Sequence, residues 1–172
     1  MSAQSSTGIT ESKHSVSLLV HNRPGVLMRI AQVFARRGYN IDSLVVSPGH
    51  TRGFSRMTIG CQGDPQVLDQ IIKQLGKLVD VVRAAEHESE NSVERELALF
   101  KVKGTSENRS EILQIVDVFR AKTVDISESS LIVEITGTSG KLDAFENILN
   151  DYGILEMLRS GIVAIVRGAE QT

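Results

Sequence analysis

The 172-residue sequence predicts an α+β fold made of two successive βαββαβ units. Three observations lead to this prediction. Apolar and polar residues alternate in some segments, as in half-buried strands. In other segments apolar residues recur at the spacing of an amphipathic helix. The same order of segments then occurs a second time, after an acidic polar stretch at residues 88–94 that is interpreted as a linker.

The first unit begins with a strand, a tight turn and a helix. Alternation predicts a strand from about Lys13 to His21. Pro24 presets a helical φ and Gly25 allows the backbone to turn closely, so a helix is expected to follow. Gly38 is a favourable residue for ending that helix. Its apolar face is predicted to consist of Leu27, Ile30, Ala31 and Phe34.

The rest of the first unit completes the βαββαβ order. Three further strands are predicted, at Ile41–Ser47, Phe54–Cys61 and Leu78–His87. Between the last two lies a helix that Asp64 and Pro65 are expected to begin, and its apolar residues are Leu68, Ile71, Ile72 and Leu75. This order is the ferredoxin-like arrangement. We therefore assign residues 13–87 to one domain, behind a polar tail at residues 1–12.

The second half, residues 95–172, repeats the architecture. Strands are predicted around Leu97–Val102, near Val124, at Leu131–Thr136 and within Ile154–Val166. The two helix faces are Ile112, Ile115, Val116 and Phe119, then Leu142, Phe145, Ile148 and Leu149. No Asn-x-Pro-Gly turn occurs in this half. A binding role is therefore assigned to the first half.

The amino-acid composition argues against several classes of function. A formal net charge of −2 argues against nucleic acid as the main partner. One cysteine excludes an internal disulfide and fits a reducing compartment, so a cytoplasmic location is expected. The four histidines lack metal-ligand spacing, and no apolar run approaches the ~20 residues that span a bilayer. The tail lacks a hydrophobic segment, which disfavours a signal peptide. No catalytic residues, metal site or cofactor of its own are predicted.

The turn at Asn22–Gly25 is the candidate binding site. Unpaired amides at a helix N-terminus favour a small anion such as an amino-acid carboxylate. Asn22 and Asn40 supply neutral amide side chains, without a strong base beside them. A plain turn and helix start would explain the same residues, and Asn40 could serve only the turn after Gly38.

Four blocks carry a resemblance to a known family. They are residues 17–22 (Ser-Leu-Leu-Val-His-Asn), 36–44 (Arg-Arg-Gly-Tyr-Asn-Ile-Asp-Ser-Leu), 55–59 (Ser-Arg-Met-Thr-Ile) and 74–81 (Gln-Leu-Gly-Lys-Leu-Val-Asp-Val). Residues 13–87 resemble an ACT domain, a small-molecule sensor. More narrowly, the blocks resemble the small, regulatory subunit of acetolactate synthase, whose bacterial form also has two domains.

The resemblance implies a regulator and not an enzyme. Members of that family bind a large catalytic subunit that carries thiamine diphosphate, FAD and magnesium and condenses pyruvate into acetolactate. They raise its activity and confer feedback inhibition by valine or another branched-chain amino acid. The resemblance also implies a homodimer with the effector between two ACT domains. Matched onto this chain, the first loop is Asn22–Leu27, which includes Arg23, and the facing strand of the neighbour begins at Asn40-Ile41. An apolar slot for a branched side chain could then be lined by Val26, Leu27 and Ile41.

Two alternatives stay open at this stage. Arg23 and Asn40 faintly resemble the arginine and asparagine of acylphosphatases, which share the ferredoxin-like fold. Pro24, however, removes one N–H donor that a phosphate cradle requires. A free-standing ACT sensor acting on another partner is the second alternative, and only the small-subunit blocks argue against it. A small core and an exposed sheet edge favour homodimerisation in either case.

Overall fold

A computed structural model describes residues 12–87 and 90–169. These residues divide into two compact units. One runs to Ser92 and includes the segment from Ala164, and the other is Val93–Val163. Residues 1–11 of the predicted tail and residues 88–89 of the predicted linker lie outside the described residues. Ser12 already belongs to the first strand. Within the described ranges, no helix is long and apolar enough to cross a membrane.

The first unit has the predicted βαββαβ order. Its elements are β1 (Ser12–His21), α1 (Val26–Arg36), β2 (Ile41–Pro48), β3 (Phe54–Gly63), α2 (Pro65–Leu75) and β4 (Val81–Glu86). The sheet order is β2-β3-β1-β4, and every neighbouring pair is antiparallel. The fourth strand begins later than Leu78 because the preceding residues form turns, in which Leu78 N–H donates to Leu75 and Val81 N–H to Leu78.

Both helices of this unit pack on one face of the sheet. The shared core joins alternate residues of β1 and β3 to one side of each helix: Val16, Leu18, Val20, Met57, Ile59, Ile30, Phe34, Leu68 and Ile71. The predicted face of α1 was wrong at one position. Leu27 is 42% exposed, whereas Val26 and Val33 are buried. Helical periodicity places Val26, Ile30 and Val33 on the same side, so Leu27 points away from the core.

The second unit repeats the order. Its elements are β5 (Ser92–Lys103), α3 (Arg109–Val118), β6 (Lys122–Ile126), β7 (Ser130–Gly137), α4 (Ser139–Asn150) and β8 (Ile154–Arg159). The chain continues into β9 (Val163–Val166), most of which belongs to the segment grouped with the first unit. The sheet order is β6-β7-β5-β8, and β9 also pairs with β5. Gly153 has φ +88 and follows α4, as expected for a residue that ends a helix.

The strand β5 begins inside the segment that was interpreted as a linker. Acidic residues do not prevent a strand at this boundary: Glu96, two residues beyond the predicted linker, is buried and paired within β5. Its carboxylate accepts hydrogen bonds from Ser139 at 2.6 Å and from Arg159 Nη2 at 2.6 Å. A charged residue with such partners can lie within a strand of a packed domain. Because β5 starts at Ser92, the part of the predicted linker from Ser92 onward is a strand.

Candidate functional site

The turn between β1 and α1 is fixed by backbone hydrogen bonds. Arg23 N–H donates to the carbonyl oxygen of His21 at 3.0 Å, and Val26 N–H donates to that of Arg23 at 3.4 Å. Asn22 N–H donates to the carbonyl oxygen of Gly53 at 2.9 Å, in the loop between β2 and β3. The candidate turn is therefore fixed both by hydrogen bonds within the turn and by a hydrogen bond to the loop between β2 and β3.

Gly25 caps α1 without a side chain. It has φ +82 and ψ −6, a left-handed conformation that favours glycine, and no side chain accepts a hydrogen bond from the first turn. No acidic residue lies in that turn. Within the described part of the chain, the amides of Gly25, Leu27 and Met28 have no recorded acceptor. The positive end of the α1 dipole is thus open to an anion.

The apolar residues of the candidate site differ in exposure. Val26 is 3% exposed, and its side chain belongs to the core. Leu27 and the adjacent Met28, at 67%, are exposed beside the turn. Ile41 is partly buried against the core. The side chains available at the surface of this turn are therefore those of Leu27 and Met28.

Asn40 and Ile41 lie at the other end of the sheet in the same chain. Ile41 is opposite Cys61 on β3, and Cys61 is opposite His14 on β1. His14 precedes His21, the last residue of β1, by seven positions, which corresponds to about 23 Å along a strand. The side chain of Asn40 donates to Asp42 at 2.8 Å. One protomer therefore does not bring Asn40 and Ile41 to the Asn22–Leu27 turn.

The same separation between the turn and Asn40 argues against the acylphosphatase alternative. Arg23 belongs to the turn that follows β1, whereas Asn40 precedes β2 at the opposite end of the sheet. The two side chains cannot act together on one phosphate within a protomer.

Sequence reasoning missed an ion pair beside the turn. Arg29 Nη2 lies 2.5 Å from Asp80 Oδ2, and the carbonyl oxygen of Asp80 accepts from His21 N–H at 2.8 Å. Arg29 is one helical turn beyond Gly25, a spacing that could have marked it. Asp80 lies far along the sequence, and nothing local indicates that it would reach the turn.

The titratable groups with shifted pKa values do not form a nucleophile and base. Burial, aided by Asp42 and Glu86, raises the pKa of the Cys61 thiol to about 12, so the thiol stays protonated. Burial, and then Arg56, lower the pKa of His87. Across residues 12–87 and 90–169, no cluster of three or more His, Cys, Asp or Glu side chains is placed to hold a metal ion.

Two family models match this chain. Residues 16–83 match the model described as an AHAS small subunit-like ACT domain. Residues 95–168 match the model described as the small subunit of acetolactate synthase. The two matches correspond closely to the two βαββαβ units.

Relatives and a solved structure resemble nearly the whole chain. A probable acetolactate synthase small subunit of Archaeoglobus fulgidus is 47% identical over 156 residues, which is 91% of this chain and 98% of the relative. The acetolactate synthase small subunit of Mycolicibacterium smegmatis is 47% identical over 155 residues, 90% of this chain and 91% of the relative. The crystal structure of the small subunit from Thermotoga maritima superposes with a TM-score of 0.83 at 45% identity, covering 92% of this chain and 99% of that one.

Proposed function

The chain belongs to the family of acetolactate synthase small subunits, and we propose that it is a non-catalytic regulatory subunit. Its partner is a large catalytic subunit, which carries thiamine diphosphate, FAD and magnesium and condenses two pyruvate molecules into 2-acetolactate and CO2. The chain raises the activity of that subunit and makes it sensitive to a branched-chain amino acid, most simply valine. The complex works in the cytoplasm.

The effector site is proposed to lie between two copies of the chain. The observation that carries this proposal is the separation of about 23 Å between the Asn22–Leu27 turn and Asn40-Ile41 within one protomer. A two-fold dimer removes that separation. The strand β2 lies at an edge of its sheet and has unpaired backbone groups on one side, so it can pair with a second copy of itself.

Antiparallel pairing of two β2 strands would bring the halves of the site together. Pro48 is opposite Ser55, which is opposite Val20 near the end of β1, so the end of β2 lies at the level of the turn. In an antiparallel pair the start of one strand lies beside the end of the other. Ile41 of one protomer would then lie at the level of the turn of its partner. By two-fold symmetry the dimer has two such sites.

The chemistry of these residues suits a free amino acid. The open amides at the start of α1 favour a carboxylate. The side-chain oxygens of Asn22 and Asn40 can accept from the ammonium group. Leu27 with Ile41 of the partner subunit, and the turn backbone at Arg23–Val26, would enclose a branched side chain. One methylene in such a slot is worth about 1–3 kcal/mol, enough to separate valine from alanine.

Regulation follows from a site that spans the dimer. Effector bound between two ACT domains stabilises one relative orientation of the protomers, and the catalytic subunit responds to that orientation. By linkage, the catalytic subunit alters effector affinity by the same factor. We propose residues 13–87 as the effector-binding and dimerising domain. Residues 95–168, which match the small-subunit model, lie in a second domain proposed to span residues 95–172.

Reconstitution tests the proposed function. Acetolactate formation by the large subunit is measured alone, with this chain, and with this chain plus valine, leucine or isoleucine. Activation by the chain and inhibition by at least one of the three amino acids is the expected result. Binding of an amino acid without any effect on the large subunit would favour a free-standing ACT sensor. Turnover of acetyl phosphate by the chain alone would favour the acylphosphatase alternative.

A further inference from the structure

A guanidinium group lies beside the N-terminus of α1. The side chain of Arg29 folds back over one helical turn, so that its Nη1 atom is 3.1 Å, and its Cζ atom 3.9 Å, from the position that a Cβ atom at Gly25 would take. A cationic group is therefore in contact distance of the glycine at the centre of the proposed effector site. No side chain at position 25 stands between the guanidinium and an incoming ligand.

Asp80 holds this guanidinium in place. Its carboxylate is only 13% exposed and contacts Arg29 Nη2 at 2.5 Å. Its backbone oxygen accepts from His21 N–H at 2.8 Å, which fixes Asp80 to the end of β1. One carboxylate oxygen thus anchors one edge of the guanidinium to the same structure that positions the turn.

The remaining donors of Arg29 are available. The Arg29 side chain is 46% exposed, and among the described residues Nη1 and Nε have no recorded acceptor. A guanidinium carries five N–H donors in a planar fork that matches a carboxylate. The anchored edge limits its motion, while the edge near Gly25 can still bind an anion.

We infer that Arg29 binds the carboxylate of the effector, that Asp80 is its positioning residue, and that the site selects free α-amino acids over amino-acid amides. This inference rests on the proposed effector site and extends it to a residue and a ligand class. The helix terminus contributes only partial charges, whereas Arg29 contributes a formal charge. Charge-assisted hydrogen bonds of this kind are roughly twice as strong as neutral ones. An amide of the same amino acid keeps the ammonium group and the side chain but loses that contact.

Calorimetry on the full chain with its large subunit tests the inference. Valine, leucine and isoleucine are each titrated, followed by the amide of whichever amino acid binds. The variants are Arg29→Gln, Asp80→Asn and the double variant. Arg36→Gln is the matched control, because Arg36 is an exposed arginine in the last turn of the same helix. It lies seven residues beyond Arg29, about 10 Å along the helix axis.

We expect the wild-type chain and the Arg36→Gln variant to bind the amino acid at least about tenfold more tightly than its amide. The Arg29→Gln variant should lose about tenfold or more in affinity for the amino acid and little for the amide. Its preference for the free acid should therefore fall to the smaller part that the open amides at the start of α1 supply. Asp80→Asn should reduce the preference without abolishing it, since the charge of Arg29 remains but is no longer anchored.

The double variant keeps the test decisive. Arg29→Gln alone leaves the carboxylate of Asp80 without its partner, and the turn could shift for that reason. The double variant has no unpaired carboxylate and should show the same reduced preference for the acid over the amide. Wild-type preference in both variants would overturn the role of Arg29 and leave the proposed function intact. A wild-type complex that binds none of the three amino acids would overturn the proposed function itself, and this inference with it.

Discussion

The backbone N–H of Asn22 donates to the carbonyl oxygen of Gly53 at 2.9 Å, and this hydrogen bond connects the Asn22–Gly25 turn to the loop between β2 and β3. Gly53 has φ +88, where residues with a Cβ atom are strained. The space around it is open, since a Cβ atom there would meet nothing within 4 Å. The backbone conformation of this one residue therefore helps to position the turn.

Replacing Gly53 with alanine should weaken effector binding and lower the free energy of unfolding by about 1 kcal/mol. The loss comes from backbone strain at positive φ, which displaces the oxygen that Asn22 uses. Urea unfolding and calorimetry measure the two effects.

The control is Gly140→Ala. Gly140 also has open space around it but lies in α4 at an ordinary φ, so alanine there should stabilise the chain slightly and leave effector affinity unchanged. Equal stability and affinity in the Gly53→Ala and wild-type chains would contradict the role assigned to this loop.

Replacing Gly25 with aspartate should abolish feedback inhibition while activation of the large subunit persists. The new carboxylate would occupy the carboxylate position, repel the effector and neutralise the nearby guanidinium of Arg29. The assay is acetolactate formation with and without valine.

Gly168→Asp separates this effect from backbone strain. Gly168 has φ +81, close to the value at Gly25, and a Cβ atom there would meet nothing within 4 Å. Valine should still inhibit the complex that contains this control variant. Full valine sensitivity in the Gly25→Asp complex would exclude the turn as the effector site.

Local patterns predicted the fold well. Alternation and helical spacing predicted the order of elements in both units, and the Asn-x-Pro-Gly turn marked the first helix start, because these signals arise from residues close in sequence. Boundaries that depend on distant partners were predicted less well. Ser92–Glu94 belong to β5, whose Glu96 is buried against Arg159 of β8, and sequence composition alone could not indicate that pairing.

Only part of the candidate site could be predicted from the sequence, namely the part formed by residues that are close together in the chain. The turn at Asn22–Gly25 was predicted because the residues that mark it are adjacent in sequence, directly before the start of α1. Arg29 was one turn away, and sequence reasoning did not single it out. Asp80 could not be found, since its contact with Arg29 joins residues that are 51 positions apart. Whether Val26 or Leu27 faces the core depends on the rotation of α1, which the apolar pattern left ambiguous.

Burial of Cys61 predicts a dependence of stability on alkaline pH. Cys61 is 2% exposed, and burial raises the pKa of its thiol from 9.0 to about 12 in the folded chain. The folded state therefore binds the proton more tightly than the unfolded state. The resulting stabilisation is fully present below pH 9 and is lost as the pH rises from 9 towards 12, by at most about 1.4 kcal/mol per pH unit.

Urea unfolding between pH 8 and pH 11 checks this prediction, with Cys61→Ala as the control. The difference in unfolding free energy between the wild-type chain and the control should shrink as the pH rises. A difference that stays constant over this range would contradict the prediction, because it would mean that the thiol has the same pKa in the folded and unfolded chain.

The measurement that tests the central claim most directly is effector binding, by calorimetry, to a mixture of two variants that are each defective in effector binding. In a site shared between protomers, Gly25→Asp damages the turn of its own protomer, and Asn40→Ala damages the half-site offered to the partner. A mixed dimer then holds one doubly damaged site and one intact site. Random mixing should restore about a quarter of the sites with wild-type effector affinity, whereas neither variant alone binds at that affinity. If each site lay within one protomer, every site in the mixed dimer would carry a substitution, and the absence of any restored binding would contradict the shared effector site.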